Sequence, residues 1–115
     1  MQIYDWEKLE KEIIEWHTKT FPNATMEGQL IKLEEEMNEL ANSANSEEGI
    51  KEAADVYIVL CGLKRWDSYI GNFIKDFWFT PVPTLYNAVV EKMNKNKARV
   101  WAKTAEGAYH HTNKE

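Results

Sequence analysis

Apolar residues return every three or four positions almost from the first residue. Trp6, Leu9, Ile13 and Trp16 fall on one stripe with Asp5 in front of them as an N-cap, so the spacing predicts a first helix. Its end is expected between Thr20 and Asn23, where Phe21-Pro22-Asn23 breaks the pattern. Thr25 then caps a second helix, with Glu27 in the first turn and an apolar stripe through Leu30, Leu33, Met37, Leu40 and Ala44. The polar stretch from Asn42 to Ser46 ends it. Ser46 is the expected cap of a third helix, whose core face is Ile50, Ala53, Ala54, Tyr57, Leu60 and Leu63. Residues 53–63 are apolar on most sides, which places this helix at the centre and its end near Trp66.

A short fourth helix is expected from Asp67 or Ser68 through Phe77, followed by a turn at Pro81 and Pro83. The last helix carries Leu85, Val89, Val90 and Met93 on its apolar side. The pattern fades after Arg99, and Glu106-Gly107 marks a turn in a tail that is extended or loosely ordered from about residue 102. No repeat or linker divides the chain. The expectation is a single domain over residues 1–115, all-α, folded as a compact helical bundle.

A chain of 115 residues buries roughly two thirds of the surface it exposes when unfolded, enough for one core. The net charge of -5 argues against general nucleic-acid binding, which draws on excess positive charge. The polar N-terminus lacks an apolar signal core, and no apolar run approaches the ~20 residues of a bilayer span. Cys61 is the only cysteine and sits in an apolar run, so no intrachain disulfide forms. These features give a cytoplasmic protein with no membrane contact as the expectation. Five Trp, five Tyr and four Phe are many for this length and suit a stacking site or a subunit interface.

The charge is unevenly spread. Between Glu27 and Asp55 acids crowd the chain, opposed only by Lys32 and Lys51, whereas Lys92, Lys95, Lys97, Arg99 and Lys103 follow one another with no acid among them. Glu35, Glu36 and Glu39 share one neighbourhood on the second helix, and Glu52 and Asp55 are three apart on the third. Both groups border the core stripe of their own helix. If the two helices pack antiparallel, the groups converge. Two carboxylates ~6 Å apart repel by about 3 kcal/mol at an effective dielectric near 20. A divalent ion removes that cost, and hard oxygen ligands select Mg²⁺ or Mn²⁺. The other reading is a solvated acidic helix face, and spacing alone leaves both open.

Lys92, Lys95, Asn96 and Arg99 form a single face of the last helix beside Val89 and Met93. A polyphosphate fits such a face, and a solubilising surface fits it too. His17 follows Trp16 at the end of the first helix, where capping or surface exposure is expected, and His110-His111 lies in the tail. Neighbouring segments built for a cation and for an anion favour a metal–phosphate ligand between them.

The run Lys32-Leu33-Glu34-Glu35-Glu36-Met37-Asn38-Glu39-Leu40, followed by Glu52-Ala53-Ala54-Asp55, resembles the EExxE…ExxD signature of MazG-like all-α nucleoside-triphosphate pyrophosphohydrolases. Trp16…Thr20-Phe21-Pro22-Asn23-Ala24-Thr25, the segment Lys92 to Trp101, and Gly107-Ala108-Tyr109-His110-His111 are similar to a small phage and bacterial dATP/dGTP pyrophosphohydrolase-like branch. The resemblance runs from about Ile13 to His111. It implies a four-helix core, assembly as a homodimer or homotetramer, and Mg²⁺-dependent hydrolysis of (deoxy)nucleoside triphosphates to the monophosphate and pyrophosphate, with Mn²⁺ as a substitute ion. By motif match Glu36, Glu39, Glu52 and Asp55 would bind the ion. Glu35 would bind a second ion or, with Glu39, serve the attacking water. Lys92, Asn96, Arg99 and Lys95 would hold phosphates, and Trp16 and Trp101 would line the nucleoside pocket. The rival readings are a non-catalytic helical interaction module, such as a phage accessory protein, and a sensor that binds nucleotides without turnover.

Overall fold

The computed structural model describes residues 4–67, 69, 83–99, 101–103 and 109–111, the last two groups by their backbone. Its helices are α1 (Trp6–Thr20), α2 (Met26–Ala41), α3 (Ser46–Leu63) and α4 (Pro83–Ala98). Two short strands follow, β1 (Trp101–Lys103) and β2 (Tyr109–His111). They pair antiparallel, with Trp101 opposite His111 and Lys103 opposite Tyr109. The packed core is helical, as the periodicity predicts, and the strand pair is an addition to it. The short helix expected from Asp67 or Ser68 through Phe77 and the turn at Pro81 lie outside the described residues.

Helix starts follow cap chemistry. Asp5 accepts from the backbone N–H of Lys8 at 3.0 Å, and Thr25 accepts from that of Gly28 at 3.0 Å. The third helix is capped by Asn45, not Ser46: the Asn45 side chain accepts from the Glu48 N–H at 2.9 Å and leaves Ser46 as the first helical residue. At the end of α2, Asn42 and Ser43 turn their side chains back onto the carbonyls of Asn38 and Leu40. Those bonds satisfy carbonyls the helix leaves open, so α2 stops at Ala41 and Ala44 falls outside the stripe assigned to it.

Helix α3 is the centre of the bundle. On one side Ala54, Tyr57, Ile58 and Cys61 pack with Leu9 and Ile13 of α1 and Leu85, Val89 and Met93 of α4. On the other, Val56, Val59, Leu60 and Leu63 pack with Leu33 of α2. A helix buried from both sides has to be apolar almost all round, which is why residues 53–63 lack a polar face.

Helix α2 keeps its predicted register at Leu33, Met37 and Leu40, which pack on the core, and departs from it at Leu30. Leu30 is 42% exposed, whereas Gln29, Leu33 and Glu36 are buried. Its inward face thus carries an amide and a carboxylate at the positions a purely apolar stripe would fill.

Candidate functional site

The loop 42–45 joins α2 to α3 and folds the two helices side by side. Glu36 and Glu39, one turn apart on α2, meet Glu52 and Asp55, one turn apart on α3. One oxygen from each of the four lies within 4.8 Å of the others. Glu36 is only 7% exposed. Oε2 of Glu36 and Oε2 of Glu52 are buried with no hydrogen-bond partner. Orphaned acceptors of this kind are costly in a finished fold.

Two lysines reach into the cluster. Lys32 Nζ is 3.2 Å from Glu36 Oε1, and Lys92 Nζ is 3.4 Å from Asp55 Oδ1. They do not fully offset the crowding. Burial, reinforced by Asp55 and Glu39 and opposed by Lys32, pushes the Glu36 carboxyl up to about 7. Burial and then the neighbouring Asp55 and Glu39 raise Glu52. Burial raises Asp55 against the pull of Lys92. Convergent hard oxygens, two of them without partners, fit a divalent ion held by Glu36, Glu39, Glu52 and Asp55.

The four carboxylates open on a cavity of about 240 Å³. Lys92, Asn96 and Arg99 of α4 line it as well, and the Arg99 guanidinium donates to Asn96 Oδ1 at 3.0 Å. Trp16, Phe21, Ile58 and Val59 add an apolar wall, on which the Trp16 and Phe21 rings meet edge to face at 5.3 Å. Gln29 also lines the cavity, two helical turns before Glu36, or about 10 Å along α2. The cavity thus joins an apolar, partly aromatic wall to a charged end.

Behind the aromatic wall lies a polar network that residue spacing does not reveal. His17, placed at a surface or cap from sequence, is 5% exposed. The Arg65 guanidinium donates to His17 Nδ1 at 2.8 Å and to the Phe21 carbonyl at 3.0 Å. Because arginine only donates, Nδ1 is the acceptor and the proton sits on Nε2. That N–H donates to Gln29 Oε1 at 2.9 Å, and the Gln29 amide donates to the Val59 carbonyl at 3.0 Å. Three helices are thus tied by one neutral imidazole. The detectable signal is the seven-residue step from Gln29 to Glu36, two helical turns, which puts a polar residue on the face of the converging carboxylates.

Burial, then the charge of Arg65, holds the His17 imidazole down at about 4 despite the Gln29 bond. A folded-state pKa below the ordinary 6.5 contributes stability that is present above pH 6.5 and is lost as pH falls through 4. The His17 ring protons in an NMR titration should therefore show no protonation step near pH 6.5. Each pH unit of descent below that point should remove up to about 1.4 kcal/mol of stability. An ordinary titration at His17 would contradict the network.

Of the other residues singled out in the sequence, Glu35 is half-buried on α2 but is not one of the four whose oxygens converge. Lys95 is exposed and borders a second, smaller cavity with Lys51, Glu91 and Lys92, the last of which lines both cavities; it lies about 100° around α4 from Asn96. Trp101 is in β1, and His110 and His111 are in β2; their side chains lie outside the described residues. No helix among the described residues is long and apolar enough to cross a membrane.

No protein-family model and no curated protein matches the chain. Among solved structures, it is similar to the cyanophage S-2L MazG-like pyrophosphohydrolase bound to dGDP and three catalytic Mn²⁺ ions per active site. The two share 28% identity over 95% of this chain and 94% of that one, at a TM-score of 0.45.

Proposed function

We propose that this chain is a MazG-like pyrophosphohydrolase that cleaves a nucleoside triphosphate, with Mg²⁺ or Mn²⁺, into the monophosphate and pyrophosphate. The observation that carries the reading is the convergence of Glu36, Glu39, Glu52 and Asp55 on a cavity that also holds Lys92, Asn96 and Arg99 and an aromatic wall. A carboxylate cluster alone would fit any divalent-ion site. The cations and the aromatic wall beside it favour a ligand with both phosphate and ring.

When bound, the divalent ion supplies Lewis-acid polarisation of phosphate oxygens and of water. The chain's own groups do the rest. Trp16 and Phe21 hold the base on its flat faces. Lys92 and Arg99 neutralise the phosphates, Arg99 with its planar fork braced by Asn96. Glu39, the exposed member of the four, faces solvent and takes the proton from the attacking water. The water oxygen bonds to the α-phosphorus, the bond from that phosphorus to the α–β bridging oxygen breaks, and pyrophosphate leaves with the electron pair. Lys92 and Arg99 stabilise the charge that develops on it.

The test is product identity: deoxynucleoside triphosphates incubated with Mg²⁺ should give monophosphate and pyrophosphate in equal amounts. Glu39→Gln should lower the rate at least about a hundredfold. Equal rates for the two proteins would reject the site, and tight nucleotide binding without product would favour a sensor.

A further inference from the structure

Lys32 has no place in the motif that brought the carboxylates to notice, yet it lines the same cavity and sits on Glu36. Its pairing is not explained as helix support. The lysine precedes its glutamate by four residues, the less favourable order for an i,i+4 pair. Nor is the pair a solvated surface contact, because the Glu36 side chain is 9% exposed and the Lys32 side chain 21%.

The carboxylates around it give the pair a meaning. Of the four that converge, Glu36 has Lys32 against it at 3.2 Å and Asp55 has Lys92 at 3.4 Å. The lysines thus stand as internal counter-ions at oxygens that an ion would also claim. A lysine side chain is a point charge on a flexible four-carbon stem and can be re-aimed at small cost. Lys32 projects from α2, whereas Lys92 and Arg99 project from α4, so the cavity has cations on two walls.

We propose that Lys32 is an exchangeable counter-ion that couples ion binding to nucleotide binding. It neutralises Glu36 while no ion is present. An ion that takes Glu36 frees Lys32, which turns to the nucleotide's phosphates from the wall opposite Lys92. The assignment rests on the metal–nucleotide reading of the cavity and adds to it a residue, a partner switch and a direction of coupling.

The separating variant is Lys32→Met, which keeps the stem and removes the charge, with Lys32→Arg as the charge-conserving control. Mn²⁺ alone is titrated into each metal-free protein and followed by the paramagnetic resonance of free Mn²⁺. At about pH 8.5, protons compete little at a group that titrates near 7. An α,β-methylene deoxynucleoside triphosphate is then titrated by calorimetry at saturating Mn²⁺. Lys32→Met should bind Mn²⁺ alone about five-fold more tightly, since a competing cation is gone, and the analogue about ten-fold more weakly. Lys32→Arg should stay near wild type in both. Opposite signs from one substitution are the mark of exchange, which a merely structural lysine would not produce. Wild-type protein that binds Mn²⁺ beside a Lys32→Met variant matching it in both titrations, or weakened in both, overturns the exchange alone. Wild-type protein that binds no Mn²⁺ overturns the ion reading of the cavity and this assignment with it.

Discussion

Replacing Glu36 by glutamine should make the metal-free protein more stable and the enzyme nearly inactive. The Glu36 carboxyl is buried, has one oxygen without a partner, and titrates at about 7 instead of its ordinary 4.5. A folded-state pKa raised in this way contributes stability that is fully present below pH 4.5 and lost as pH rises through 7. Glutamine has the same shape and no charge to desolvate. The variant should therefore match the wild type near pH 4.5, gain on it as pH rises, and hold a constant advantage above 7. The shift, which already includes the pull of Lys32, sets an upper bound of about 3 kcal/mol on that advantage. Added Mn²⁺ should reverse the order by raising the melting temperature of the wild type and leaving that of Glu36→Gln nearly unchanged. Turnover should fall at least about a hundredfold. Thermal melts of both proteins at three pH values, with and without Mn²⁺, test each part. A metal-free variant less stable than the wild type at pH 8 would show that the carboxylate crowding costs the fold nothing.

Gly62→Ala should be the most destabilising single methyl in the described chain. A Cβ at that position would lie 2.6 Å from Gln29 Nε2 and 3.1 Å from His17 Cδ2. The long Gln29 side chain would ordinarily swing away, but its amide is held at both ends, by His17 and by the Val59 carbonyl. Yielding would break bonds in a buried network that ties α1, α2 and α3 together. Alanine gains about 1 kcal/mol of helix propensity over glycine, and the broken packing and hydrogen bonds should outweigh it by about 2–3 kcal/mol. Gly49→Ala is the control, because its Cβ meets only the Ser43 hydroxyl at 3.4 Å and should be neutral or mildly stabilising. Urea midpoints of the two variants measure the contrast. A stabilised Gly62→Ala would mean that Gln29 is free to move.

The helical core and the caps of α1 and α2 were legible from residue order because each rests on short-range rules. Asp5 and Thr25 cap where a polar side chain precedes an apolar period, and α3 is central because residues 53–63 leave no polar face. The convergence of the four carboxylates was legible too, since two i,i+3 pairs on consecutive helices can meet in few ways once the connecting loop is short. Three things were not. Leu30 was read as core, but apolar spacing cannot show that an amide and a carboxylate claim the inward positions at Gln29 and Glu36. His17 was read as surface because its partners, Gln29 and Arg65, lie 12 and 48 residues away. Lys95 was grouped with Lys92 and Arg99 by a loose three-and-four step, though the face that turns inward is set by Val89, Met93 and Asn96.

All four converging carboxylates come from the single hairpin 26–63, whereas Lys92 and Arg99, facing them across the cavity, belong to a helix that begins twenty residues further on. On the proposed function, selection could act largely separately on the two parts. Changes within residues 83–99 would then alter which anion is accepted while the acidic hairpin, with Lys32, stays as it is. Descendants of such a chain would be expected to diverge first in what they recognise and last in what they coordinate.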